Sequence, residues 1–158
     1  MIASADLARL TDAQIVAVTL YGECRSEPIE GIIAVANVIK NRVQADLGGD
    51  QKPDWWGEGW RGVCLKPWQF SCWHPEGGEG NHAKVRELVT ALLAGPVTDR
   101  QYVECAAVAT CIMRDWFRDN TKGSDHYHVA TMIPRPTWAK GRVPVTQVAK
   151  HVFYKLAA

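Results

Sequence analysis

The tightest constraint in this chain is a stripe of apolar residues that starts directly after a proline. Ile29, Ile32, Ile33, Ala36, Ile39 and Val43 follow Pro28 at three- and four-residue intervals, the spacing that gathers side chains on one face of an α-helix. Pro28 suits a first-turn position, where its missing N–H would have had no partner. Such a stripe requires a second apolar surface to cover it. Thr11-Asp12-Ala13-Gln14 has the form of a capping box and predicts a helix from residue 12 to about residue 22, carrying Ile15, Val16, Val18 and Leu20. Asn81 or His82 starts a third helix through Val85, Leu88, Val89, Leu92 and Leu93, stopped by Gly95-Pro96. Thr98-Asp99-Arg100-Gln101 repeats the capping form and opens a fourth helix to about Phe117. Residues 124–130 and 147–154 read as short strands joined by the proline-rich stretch 133–144. No internal repeat, low-complexity tract or second domain shows in the sequence. The expectation is one domain over residues 1–158, α+β and mostly helical, with a small antiparallel β-sheet near the C-terminus.

Residues 48–80 differ in kind. Gly48-Gly49 closes the helix begun at Pro28, and the stretch beyond is rich in Gly, Pro and Trp with no sustained period. A segment this long inside a compact domain is usually functional. Of the seven Trp, five (Trp55, Trp56, Trp60, Trp68 and Trp73) fall within nineteen positions. Trp packs in cores and also stacks on sugar faces, and composition does not separate the two. The formal net charge of +1 excludes a dedicated nucleic-acid binder, which carries a strongly basic face, but leaves room for a local patch facing an anionic wall. The opening MIASADLARL lacks the basic and apolar regions of a secretory signal. The apolar run near residues 15–20 is far shorter than the roughly 20 residues that span a bilayer. A soluble, monomeric, cytoplasmic protein without stable membrane association is therefore expected. The five cysteines are odd in number and form no C-x-x-C pair. Free, mostly buried thiols are expected, a Cys64–Cys72 bridge formed after release being the alternative.

Two carboxyls stand out. Glu23 falls at the end of the first predicted helix, where exposed carbonyls disfavour negative charge and partial burial acts in the same direction. Glu27 precedes the first turn of the Pro28 helix, where free amides favour the anion. Opposite settings for two nearby carboxyls separate a proton donor from a permanent anion; the bland alternative is a pair of solvated loop acids. His126 and His128 flank Tyr127 and share a face if that segment is a strand, the possible start of a metal site. No H-E-x-x-H or comparable motif supplies a third ligand, so structural or substrate-contacting histidines are expected, with no metal and no cofactor. His151, in His151-Val152-Phe153-Tyr154, reads as a hydrogen-bonded histidine beside a terminal strand. No G-x-S-x-G, P-loop or G-x-G-x-x-G occurs. Cys24 beside Glu23 reads as a small buried hydrophobe sooner than as a nucleophile.

These residues resemble a known family. Tyr21-Gly22-Glu23-Cys24-Arg25-Ser26-Glu27-Pro28, then Gly31, then Ala34-Val35-Ala36-Asn37-Val38-Ile39-Lys40-Asn41-Arg42-Val43 is similar to the GEARGEP…G…AVAxVIxNRV pattern of SleB/CwlJ-type cell wall hydrolases. Gln69-Phe70-Ser71-Cys72-Trp73, residues 120–127 leading into His128, Pro136 with Trp138, and His151-Val152-Phe153-Tyr154 follow in the family's order. The resemblance implies a lysozyme-like or lytic-transglycosylase-like domain that cuts the β-1,4 bond from N-acetylmuramic acid to N-acetylglucosamine in peptidoglycan. It implies Glu23 as the catalytic acid, and Gln69, Phe70, Tyr127 and His126 as substrate-binding candidates. Glu27 is the nearest second carboxylate and a further candidate for the substrate groove, although Pro28 should turn its side chain elsewhere. Cys24 and Ser26 depart from the pattern's Ala and Gly. A lone catalytic domain looks like a phage endolysin, held in the host cytoplasm until the inner membrane opens and then acting on a thin Gram-negative wall from the periplasm. Three alternatives stay open: muramidase-type hydrolysis of the same bond, a metal-dependent amidase using His126 and His128, and a non-catalytic glycan-binding module built on the tryptophans.

Overall fold

A computed structural model describes residues 2–45, 55–75 and 79–156. Among them run six helices, α1 (Ser4–Arg9), α2 (Asp12–Glu23), α3 (Ile29–Ala45), α4 (Gly59–Leu65), α5 (Glu79–Ala94) and α6 (Arg100–Met113). Three strands follow, β1 (His126–Val129), β2 (Thr146–Val148) and β3 (His151–Tyr154). Single 3₁₀ turns lie at Ser71–Trp73 and Thr137–Ala139.

α2 occupies the centre. Ile15 through Leu20 are all buried, because α6, α5, α4 and the Ser71–Trp73 turn surround the helix. This is why the segment shows an apolar run, interrupted only by the buried Thr19, in place of a stripe. Its start is the expected capping box: Gln14 N donates to Thr11 Oγ1 at 3.2 Å, and Thr11 N donates to Gln14 Oε1 at 2.8 Å. α3 is clamped from two sides. Ile32, Val35, Ala36, Ile39 and Val43 enter the main core, while Ala34 and Val38 meet Phe153 of the sheet.

The sheet has the order β1-β3-β2 with both pairs antiparallel. Tyr127 lies opposite Phe153, and His126 opposite Tyr154. Directly paired residues share a face, so Tyr127 and Phe153 look toward α3 while His126, His128 and Tyr154 look outward under Trp138.

Several boundaries differ from the sequence reading. Asp99, not Thr98, caps α6, accepting from Tyr102 N at 2.8 Å, so the capping residue moves one place along the chain. α6 ends at Met113 instead of near Phe117, because Asp115 turns to a φ of +59°. The expected 147–154 strand is two strands, broken at Ala149 with a φ of +49°. Alanine carries no turn signal, and nothing in the sequence marked that break. α1 and α4, of six and seven residues, are too short to show a period. The helix stop at Gly48-Gly49 lies outside the described residues. All five cysteines are free, and no Cys64–Cys72 bridge exists.

One contact fixes the end of α2. A Cβ on Gly22 would sit 2.5 Å from Cys72 Cβ and 2.9 Å from Val85 Cγ2, so only a glycine lets the helix lie this close to the Ser71–Trp73 turn. Gly22→Ala should lower stability by about 1–3 kcal/mol through overpacking. Gly95→Ala, with nothing within 4 Å, should stay within about 0.5 kcal/mol of wild type. Thermal denaturation of the two variants checks the contrast.

Candidate active site

The turn after α2 decides where Glu23 points. Cys24 N closes the helix onto Leu20 O at 2.8 Å, and Ser26 takes a φ of +66° before α3 begins. That left-handed geometry explains why the family pattern prefers glycine there; Ser26 reaches it despite its Cβ. Glu23 is thereby left on the floor of a cleft of about 470 Å³.

Three donors hold its carboxyl. Oε1 accepts from Cys72 N at 3.1 Å and from Ser71 Oγ at 3.4 Å, and Oε2 accepts from Tyr127 OH at 3.0 Å. Ser71 and Tyr127 are hydroxyls, which rotate to donate to a carboxylate or to accept from a carboxylic acid. The same cradle therefore serves both protonation states. Burial, followed by the charge of Glu23, pushes the Tyr127 phenol well above its ordinary value, so it stays protonated.

Arg42 is the positive group at this floor. It sits on the buried stripe of α3, where Nε donates to Asp125 O at 2.7 Å and Nη1 to Gln69 Oε1 at 2.6 Å. Burial lowers its pKa, with Tyr127, Asp125 and Glu23 among the groups pulling it back up; an arginine remains charged there. Arg42 fixes Gln69 at the cleft wall and packs over Phe70, 5.3 Å from the ring centroid. The sequence reading missed Arg42 as a site residue. The available signal was a lone cation in register with Val35, Val38 and Ile39.

The expected residues divide. Glu23, Gln69, His126 and Tyr127 line one cleft. Phe70 does not: it is 1% exposed and supports Arg42 from within the core, because the side chain before the 3₁₀ turn points inward. Glu27 does not either. Its carboxyl is turned to the β2–β3 turn, 3.4 Å from Lys150 Nζ and accepting from Lys150 N at 3.4 Å, where it ties the start of α3 to the sheet. Neither residue is at the substrate groove expected for it.

The histidine pair also separates by role. Asp125 Oδ1 lies 2.7 Å from His126 Nδ1, so Nδ1 is assigned the proton and Nε2 is the acceptor left over. His128 has both nitrogens engaged, Nδ1 with Val129 O at 2.8 Å and Nε2 with Tyr154 OH at 3.2 Å. Among the described residues no group of three His, Cys, Asp or Glu is placed to hold a metal. The tryptophans sort as well: Trp56 and Trp73 are core, with Trp73 Nε1 donating to Thr19 Oγ1 at 3.0 Å, while Trp68 and Trp138 line the cleft. In the sequence Trp68 stands out only as one of the clustered tryptophans and Trp138 only as part of the family resemblance, with His74 unmarked, since the aperiodic stretches that carry them give no period from which to orient their side chains.

The sequence model of the cell wall hydrolase family matches residues 26–154. The chain belongs to the cell wall hydrolase family. Its fold is that of the SleB catalytic domain, a lysozyme-like fold. The Bacillus anthracis germination-specific lytic transglycosylase SleB matches with a TM-score of 0.61 and 24% identity over 91% of this chain and 93% of that domain. The Bacillus cereus SleB catalytic domain matches with a TM-score of 0.58 and 24% identity over 91% and 89% of the two chains. No curated protein matches the chain. Family membership makes this cell wall hydrolase a peptidoglycan-degrading enzyme. The family match begins at Ser26, so the case for Glu23 rests on the cleft geometry.

Behind the cleft, His151 lies edge-on to Tyr127, with ring centroids 5.1 Å apart, and its Nδ1 has no hydrogen-bond partner. Burial holds its pKa below the ordinary value, against the opposing pull of Glu27 and Glu23. A histidine kept neutral by the fold binds fewer protons than its unfolded counterpart, so stability is full above the unfolded value and falls as pH drops through about 6.5. Denaturant unfolding should show less stability at pH 5 than at pH 7.5, and His151→Phe should flatten that difference.

Proposed function

We propose that this enzyme cleaves the β-1,4 bond between N-acetylmuramic acid and N-acetylglucosamine as a lytic transglycosylase, with Glu23 as its one acid and base. The supporting observation is the cradle itself: a single carboxyl on the cleft floor, with hydroxyls that suit it in either protonation state. Among the described lining residues Glu23 is the only carboxyl. Retaining glycosidases need a second one roughly 5–5.5 Å away and inverting ones a second at roughly 6.5–9.5 Å. Glu27, the nearest in sequence, is engaged by Lys150 instead.

In this scheme Glu23 gives its proton to the glycosidic oxygen, and the bond from that oxygen to muramyl C1 breaks with an oxocarbenium-like centre at C1. The Glu23 carboxylate then takes the proton from the muramyl 6-hydroxyl, whose oxygen bonds to C1. The products are a free N-acetylglucosamine 4-hydroxyl and a 1,6-anhydromuramyl end; no water is consumed. Cys72 N, Ser71 Oγ and Tyr127 OH steady the anion between the two transfers.

Muramidase hydrolysis of the same bond is the second reading, and product ends separate the two. Purified sacculi should yield anhydromuramyl ends by mass spectrometry, and reducible muramic ends would refute the transglycosylase scheme. Glu23→Gln should cut the rate by about 10²–10⁴-fold, the usual share of a general acid, with the fold intact by circular dichroism.

The setting proposed is host lysis: an endolysin, monomeric, waiting in the cytoplasm until the inner membrane opens. Gram-negative cells expressing the enzyme should lyse only after permeabilisation; lysis without it would contradict this setting.

A further inference from the structure

Trp68 is held in a conformation that packing does not account for. Its φ is +67°, in the left-handed region where Cβ crowds the backbone and glycine or asparagine is the usual choice. The residue is 77% exposed, so burial does not compensate for the strain. The ring stacks on His74 with centroids 5.3 Å apart and planes 20° from parallel. Its backbone N–H donates to His74 Nε2 at 3.2 Å, so one histidine fixes both the turn and the ring. Both residues line the cleft that holds Glu23.

The other tryptophans differ. Trp138 also faces the cleft, but it is wedged against His126, His128 and Tyr154 at 5.0–5.8 Å. Trp55 and Trp116 are exposed yet stand apart from the cleft lining. Trp68 alone among the described tryptophans combines a strained backbone, an open ring face and a place in this cleft.

Backbone strain that the fold does not require concentrates where ligands bind. We propose that Trp68, backed by His74, is a sugar-stacking subsite that takes the C–H face of an N-acetylhexosamine ring in a β-1,4-linked glycan. In such a ring the axial C–H bonds present an apolar surface, and the electron-rich indole face attracts their positive hydrogens. Imidazole covers one face of the indole, leaving the other for the sugar. The flat platform is set before the glycan arrives, so little side-chain freedom is lost on binding. This subsite rests on the glycan-cleaving reading of the cleft.

Its test avoids turnover. In the Glu23→Gln protein, the affinity for a β-1,4-linked N-acetylglucosamine hexamer is measured by titration calorimetry, and Trp68→Gly and Trp68→Phe are added in turn. Trp68→Gly should weaken binding by about two- to tenfold, the range of an aromatic stacking contact, and Trp68→Phe should restore most of it. Because glycine relieves the φ, the melting temperature of Trp68→Gly should match its parent or exceed it by about 2–4 °C. An unchanged hexamer affinity in Trp68→Gly overturns the subsite. So does a fall of many degrees in melting temperature for both variants, which would make Trp68 a structural residue. Failure of the parent to bind the hexamer at all contradicts the glycan reading beneath it. Cleavage surviving in Glu23→Gln would instead defeat the assignment of the acid and leave the Trp68 comparison legible.

Discussion

The site depends on how closely the C-terminal end of α2 approaches the Ser71–Trp73 turn. With Gly22 flush against Cys72, the next side chain, Glu23, meets Cys72 N and Ser71 Oγ on one oxygen. Its other oxygen reaches Tyr127, which β1 delivers from 104 residues away. Helix, turn and strand thus converge on one carboxyl. The two contacts to the turn would be lost if α2 stood even a methyl group further from it.

α3 completes the arrangement by carrying a cation on an otherwise apolar stripe. Arg42 bonds to the backbone just before β1 and to Gln69 just before the 3₁₀ turn. It therefore fixes the spacing of the cleft's two sides as well as its charge. A buried arginine with such partners is costly to strip of them, which makes it a brace between segments distant in sequence. Asp119 braces the same region from outside. Burial alone would raise its pKa, but hydrogen bonds from Thr121, Gly123 and Asn41 outweigh that and lower it, tying the approach to β1 onto α3.

Much of this was legible in the residues. The stripe behind Pro28, the capping box at Thr11 and the halt near Gly22 follow from local rules, and they place Glu23 at a helix end unaided. The split between Glu23 and Glu27 was also legible in part, since Pro28 turns the chain between them. What it did not reveal was the partner: Lys150 comes from the far end of the chain, and local electrostatics cannot see it. Phe70 was misread for a similar reason. The motif around it marks the groove, but which of its side chains points in and which points out depends on a 3₁₀ turn with no periodic signature. The break at Ala149 and the left-handed turn at Trp68 lie beyond sequence rules altogether, because neither residue type favours the φ it adopts.

The central claim is that one carboxyl meets the scissile bond alone. A crystal structure of Glu23→Gln with a peptidoglycan-derived tetrasaccharide tests it most directly. The bridging glycosidic oxygen should lie about 3 Å from the residue 23 side chain, with no second carboxylate within roughly 10 Å across the sugar ring. A glycan seated away from residue 23, or another carboxylate poised at the anomeric carbon, would contradict it.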